Sequence, residues 1–587
     1  MARQLEHFDN LVSMFLTRAA EKGDRPFLWA KRDKEWRPIS WAEAAQQVAS
    51  LAASLKAIGL QPGDRVCLVS ENRPEWLISD LAIMAAGCVT VPTYTTNTVR
   101  DHSHILENSG AKAVIVSNQK LAKNLVPAVL TSNVCHHVIG MEPLRSGQTP
   151  DWVSCHSWSE LASRDADVDA LREEMKRIGR ADLACLIYTS GTGGAPRGVR
   201  QHHGSILANI EGATDIISTD FGWGDEIFLS FLPASHAYEH TGGQHFPVGL
   251  GAQIYYAESL EKLASNIEEV QPTIMVVVPR LFEMLRARIM KSLESQGGLS
   301  KYLMRRALKI GADKAEGKRK PWDLPMDGFL SLTLRRKVRA KIGGRQKAWV
   351  SGGAPLNPEV GLFFESLGIT FLQGYGQTEA GPVIACNRPS AGIRLDTVGP
   401  PVKGCEVLIA EDGEIMIRGE LVMHGYWRNP EESARVLRDP GDGTGTWLAT
   451  GDIGHIDEKG RIKITDRKKD ILVNDKGDNV SPQRVEGMLT LQNEIAQAMV
   501  YGDRRPHLVA LLVPDPEIAS APDRQEQLQR AVDRVNADLS VIERVRRFVV
   551  ADQPFTIENE QLTPSMKIRR HVIGEVYGQE LSALYTR

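Results

Sequence analysis

The chain is short of cysteine, of excess charge and of long apolar runs, and each shortage removes a class of function. Seven cysteines among 587 residues form no CxxC pair, so neither a zinc knuckle nor a disulfide framework is expected, and reduced thiols are the default. Lys plus Arg number 70 against 73 Asp plus Glu, a net charge of −3, which speaks against a nucleic-acid partner. No stretch of about 18 uninterrupted apolar residues occurs, and the N-terminus MARQLEHFDNL carries charge where an export leader has its apolar core. A cytoplasmic protein is therefore expected. There is no Walker A motif, no internal repeat and no low-complexity tract. What remains is 42% apolar and 24% charged, the composition of a globular chain. Its length suggests three or four units at roughly 150 residues each.

The most informative stretch is YTSGTGGAPRGV at residues 188–199. Thr189, Ser190 and Thr192 stand among Gly191, Gly193, Gly194 and Gly198, after the apolar run 183–187. Glycines let backbone N–H groups turn toward an anion, hydroxyls add neutral donors, and Arg197 adds charge, so the stretch suits a polyphosphate. Alone, it reads equally well as a Gly-rich surface loop.

Before it, residues 40–117 alternate helix and short apolar strand, which implies parallel, doubly wound α/β layers. Residues 120–180 read as a surface excursion. After it comes FLPASHAYEHTGG at 231–243, where His236, Glu239 and His240 stand in the H-x-x-E-H spacing of a zinc peptidase. Pro233 before it and Thr-Gly-Gly after it oppose the long helix such a site needs. Residues 272–279 read as a buried strand and 280–291 as a helix. Residues 301–345 hold fourteen Lys and Arg against four acids, a local net charge of +10. With Trp322 and Phe329 between the basic clusters, this segment reads either as a solvated helical face or as a surface for an anionic bilayer.

Taken in order, these blocks and those downstream resemble the acyl-adenylate-forming ligases from residue 188 to 570, about two thirds of the chain. The block at 495–515 and the tail LTPSMKIRR at 562–570 look most like the long-chain fatty acid–CoA ligases. Two loop positions depart from the family pattern: Gly193 replaces a threonine and Arg197 a lysine. The resemblance implies a large N-terminal domain (residues 1–465) of doubly wound α/β layers with a distorted β-barrel subdomain. It also implies a small mobile α+β domain (466–587) hinged at Asp466 and Arg467. It implies ATP, coenzyme A and a long-chain fatty acid as substrates, with Mg²⁺.

By the same resemblance, Thr189, Ser190, Gly191, Thr192 and Gly193 bind nucleotide phosphates. Gly352, Gly353, Ala354, Gly374, Tyr375 and Gly376 wall the adenine, and Thr378 faces the α-phosphate. Asp452 clamps the ribose beside Arg467, and Thr189 and Glu379 hold the magnesium. His236 borders the acyl pocket, while Arg197 and Lys567 offset the charge that gathers during phosphoryl attack. Lys476 stands where relatives have glycine, on the thiol-entry side. A fatty acyl-AMP ligase serving a carrier protein, and a lipid-binding protein without catalysis, are the alternatives.

Overall fold

The computed structural model describes residues 3–145, 150–189, 196–294, 298–315, 318, 320–439, 443, 445–468, 471–476, 478–556, 558–563 and 568–586. Ser190, Gly191, Thr192, Gly193 and Lys567 lie outside the described residues.

Two large sheets carry the N-terminal part. The seven-stranded sheet runs, in spatial order, Ser154–Ser157, His137–Gly140, Ala113–Val116, Arg65–Val69, Val89–Thr93, Leu183–Thr189 and Arg197–His202. All neighbours are parallel except the last pair. The eight-stranded sheet is parallel through its middle, with antiparallel strands Glu35–Ser40 and Val383–Cys386 at its two edges. Helix Pro74–Ala85 touches strands of both sheets, and every one of its residues is buried. Its sequence, PEWLISDLAIMA, is apolar nearly all round, as a helix enclosed on every side must be. The neighbouring helix Trp41–Ala57 starts at a capping box made by Ser40 and Glu43. One contiguous core joins these helices to both sheets, which matches the doubly wound reading.

Residues 120–180 correct the expectation of a surface excursion: they supply helix Gln119–Thr131 and the two outermost strands on one side of the seven-stranded sheet, His137–Gly140 and, at the edge, Ser154–Ser157. Each strand has four residues, and SCHS has no apolar face, so period-2 alternation had nothing to register.

A five-stranded antiparallel sheet lies between Glu406 and Arg467. Beyond it, strands Ile495–Tyr501, Leu508–Pro514 and Val545–Val550 form a separate sheet. Clusters involving helices Pro482–Leu489 and Arg524–Asp538, and helix Arg570–Ala583, cover it. This is the small α+β unit. Asp466 and Arg467 are the last residues of strand Ile462–Arg467, where Asp466 pairs with Ile453 and Arg467 with Asp452.

Candidate active site

A cavity of about 640 Å³ opens where the C-terminal ends of the central strands meet the five-stranded sheet. Strand Leu183–Thr189 returns as strand Arg197–His202, and the antiparallel register sets Thr189 opposite Arg197. The two paired strands deliver one hydroxyl and one guanidinium side by side to the wall. Arg197 donates to Glu432 Oε1 at 2.5 Å and stacks 4.6 Å over the ring of Tyr426. The Tyr426 hydroxyl, in turn, donates to Glu379 Oε1 at 2.8 Å. Glu379 sits in a 3₁₀ turn, Thr378–Ala380, just after strand Phe371–Gly376.

The opposite wall is built on Asp452. This buried carboxylate accepts from the Tyr375 hydroxyl at 2.6 Å through Oδ2, while Arg467 Nε lies 3.1 Å from Oδ1. Burial, with Asp452 beside it, pushes the Tyr375 phenol well above its usual range, so Tyr375 stays a donor. Gly352 admits no side chain because a Cβ would come within 2.8 Å of the Tyr238 ring, and Gly353 follows at a φ of +82°. Ala354, expected beside them, is exposed and takes no part in the wall, because the left-handed turn at Gly353 leads the chain outward.

Three wall atoms are buried without a hydrogen-bond partner among the described residues: Thr189 Oγ1, Arg197 Nε and Gln377 Nε2. Buried polar groups are ordinarily satisfied, and donors orphaned on one cavity suit an anionic ligand that brings its own acceptors. An orphaned hydroxyl near an acidic turn also suits a hard cation, which takes oxygen ligands and phosphate oxygens together.

His236 lines the cavity, and its Nδ1 accepts from the Tyr238 N–H at 3.2 Å. The zinc reading of H-x-x-E-H fails on geometry. His240 is wholly buried 3.2 Å from Asp80, while Glu239 accepts from Ser230 at 2.6 Å, so the three side chains serve three places. Asp80, His240 and His245 do gather within 4.8 Å of one another, because the π-helical turn His240–His245 presents both imidazoles to helix Pro74–Ala85. Neither Nδ1 has a partner among the described residues, whereas a metal-ligating histidine ordinarily donates its other N–H. We read the cluster as a buried carboxylate–imidazole group in which His245 Nε2 holds Asp80 at 2.8 Å.

Glu239 yields a pH prediction. Burial pushes its carboxyl up from 4.5 to about 8. Between those values the folded protein keeps a proton that the unfolded chain releases, so this group makes stability fall as pH rises through the window. Glu239→Gln removes the titration. Relative to wild type, the variant should gain on the order of 1 kcal/mol per pH unit between pH 5 and 8. Denaturant unfolding at several pH values checks this, and parallel profiles for the two proteins would refute it.

Of the expected residues, the cavity brings together Thr189, Arg197, His236, Gly352, Gly353, Gly374, Tyr375, Gly376, Thr378, Glu379, Asp452 and Arg467. It adds Glu414, Glu432, Arg435, Arg438 and Lys468, which sequence reading missed. Tyr426, also on the wall, was given no role by the sequence. The others carried no local signal: Glu414 and Arg438 arrive by strand pairing of the five-stranded sheet, Glu432 and Arg435 on helix Pro430–Val436, and Lys468 just after strand Ile462–Arg467. Among the described residues, none beyond Lys468 lines the wall.

Comparison with known proteins agrees with this geometry. The AMP-binding enzyme family matches residues 15–427, and its C-terminal domain matches residues 469–587. The chain belongs to the AMP-binding enzyme family. A relative of Mycobacterium tuberculosis named long-chain-fatty-acid–CoA ligase FadD15 is 31% identical, over 99% of this chain and 98% of that one. A chloroplastic protein of Arabidopsis thaliana named long-chain-fatty-acid–[acyl-carrier-protein] ligase is 28% identical, over 97% of this chain and 86% of that one. Among solved structures, the adenylation domain of a carboxylate reductase from Mycobacterium chelonae superposes with a TM-score of 0.74 at 23% identity, covering 99% of this chain and 92% of that one. An anthranilate CoA ligase in complex with anthranoyl-AMP gives 0.72 at 20% identity, covering 99% of both chains. These two share the fold of this AMP-binding enzyme.

Proposed function

We propose that this AMP-binding enzyme is a long-chain fatty acid–CoA ligase, which makes an acyl-adenylate from ATP and then a CoA thioester, releasing pyrophosphate and AMP. The observation that carries the reading is the cavity itself: a carboxylate clamp of Asp452, Tyr375 and Arg467 faces the paired strands that hold Thr189 and Arg197. In the first step a carboxylate oxygen bonds to the α-phosphorus as the bond to pyrophosphate breaks. Charge gathers on phosphate oxygens, and preorganised donors stabilise it. Arg197 faces the outer phosphates and Thr378 the α-phosphate, while Asp452 accepts from the ribose hydroxyls. Glu379 and Thr189 are the groups that would hold magnesium, which supplies charge neutralisation when bound. His236 and Tyr238 stand at the acyl side. In the second step the CoA thiol bonds to the acyl carbon, and AMP leaves with the former carboxylate oxygen.

Lys567 is the cation we assign to the first step, carried to the cavity by movement of the small unit about Asp466. A panel of acids of graded length with ATP and free CoA tests the function. Pyrophosphate release without acyl-CoA would favour transfer to a carrier protein, and no pyrophosphate release would sink the enzymatic reading.

The fatty substrate comes to this enzyme from a bilayer, on our reading of residues 301–345. Tyr302 (53%), Trp322 (72%), Leu324 (54%), Phe329 (50%) and Leu332 (75%) are exposed there. On helix Leu324–Leu332, the exposed residues Pro325, Gly328, Phe329 and Leu332 fall at i, i+3, i+4 and i+7, one stripe facing solvent. Two cations of the segment are consumed internally, Arg306 by Asp323 and Arg335 by Asp327. Lys301, Arg305, Lys309, Lys320, Arg336, Lys337, Arg339 and Lys341 remain exposed. Apolar side chains flanked by cations fit an anionic membrane surface. No helix among the described residues is long and apolar enough to cross a membrane. Vesicles containing anionic lipid should therefore pellet the protein, and Trp322→Ala with Leu332→Ala should weaken that binding about tenfold or more. Equal binding to neutral vesicles, or no loss in the double variant, would return the segment to an ordinary solvated face.

A further inference from the structure

The wall of the cavity holds nearly as many acids as cations, and the cations are already engaged. Lys468 lies 2.9 Å and Arg438 3.6 Å from Glu414, and Arg467 lies 3.1 Å from Asp452. Glu432 bridges two guanidiniums, with Arg197 on Oε1 at 2.5 Å and Arg435 on Oε2 at 2.9 Å. Its backbone is fixed by Asn429, the N-cap of helix Pro430–Val436, whose Oδ1 accepts from the Glu432 N–H at 3.1 Å. Tyr426 fixes Arg197 from a second side by stacking. The guanidinium is nonetheless incompletely used, because its buried Nε has no partner among the described residues.

We propose that Glu432 competes with the outer phosphates of ATP for Arg197, and so sets the affinity of the site for ATP and pyrophosphate without setting it for AMP. This rests on the reading of Arg197 as the cation that faces the outer phosphates. A guanidinium has five donors in a rigid fork, which a carboxylate or a phosphate engages at the same edge. The polyphosphate must take that edge from Glu432, or share it against the repulsion of a carboxylate held in place by Asn429 and Arg435. AMP has no outer phosphate and makes no such demand. The consequence for the reaction is directional. Once the adenylate has formed, Glu432 recaptures Arg197 and helps pyrophosphate to leave, which opposes the reverse reaction.

Equilibrium binding of α,β-methylene-ATP with magnesium, and of AMP, to wild type, Glu432→Gln, Arg197→Gln and the double variant tests the proposal. Glu432→Gln should bind the ATP analogue about tenfold more tightly and AMP within twofold of wild type, and it should have no effect in the Arg197→Gln background. Glu432→Ala, which removes charge and hydrogen bond together, must change analogue binding in the same direction. Weaker or unchanged analogue binding in the Glu432 variants would overturn the competition and make Glu432 a support that aims Arg197. An equal gain for AMP would overturn it as well. If Arg197→Gln alone binds the analogue as tightly as wild type, the reading of Arg197 fails instead, and with it the competition.

Discussion

Lys567→Ala is expected to slow acyl-AMP synthesis by roughly 10²–10³-fold, the usual cost of losing one preorganised charge donor at a transition state. Thioester formation from supplied acyl-AMP should be nearly unaffected. Lys567 belongs to the tail block at 562–570, which resembles that of the ligases. A lysine with an unperturbed pKa near roughly 10.4 is a cation at neutral pH. Such a cation offsets charge while the α-phosphate is attacked and has no such task when a thiol attacks the acyl carbon. On the proposed mechanism the small unit brings Lys567 in for one step and withdraws it for the other. Pyrophosphate release and CoA acylation from purified acyl-AMP, measured separately, check this. Equal loss in both half-reactions by a folded variant would mean that one static site performs both.

Asp452→Ala should lower kcat/KM for ATP by about 10²–10⁴-fold. The estimate follows from two hydrogen bonds between a charged acceptor and the ribose hydroxyls, each worth roughly 1.5–3 kcal/mol. Asp452 is buried and already ordered by Tyr375 and Arg467, so the proposed ribose contact would need no reorganisation. Its loss leaves Arg467 half in solvent, which the fold tolerates better than a buried unpaired charge. A second readout separates binding from damage at a distance: wild type should discriminate against 2′-deoxyATP, and the variant should accept ATP and 2′-deoxyATP alike. Persistent discrimination in Asp452→Ala would remove Asp452 from the ribose.

The parts of the fold that could be read from the sequence were those whose pattern is local. Helix Trp41–Ala57, the strand Arg65–Val69 and helix Pro74–Ala85 are announced by a capping box, an apolar run and a proline at the first helical position. Strand Leu508–Pro514 is likewise marked by seven successive apolar residues. The short strands at residues 137–140 and 154–157 are not, since four residues, at least half of them polar or small, carry no period. The same division runs through the site. Thr189, Tyr375, Glu379 and Asp452 stand in compact blocks, whereas Glu414 and Arg438 reach the cavity through the pairing of the five-stranded sheet and Glu432 on the helix Pro430–Val436. Arg197 shows both cases. Its charge was legible as part of the loop, but its capture by Glu432 across a separation of 235 residues was not.

The first half-reaction is attack of the carboxylate on the α-phosphorus to give an acyl-adenylate, and one isotope measurement addresses that step directly. The protein is incubated with ATP, CoA and a long-chain fatty acid carrying ¹⁸O in both carboxylate positions, and the phosphate-containing products are analysed by mass. The account predicts one ¹⁸O in each AMP, none in pyrophosphate and one retained in the acyl-CoA carbonyl. Label in orthophosphate together with ADP, or unlabelled AMP beside labelled acyl-CoA, would contradict it.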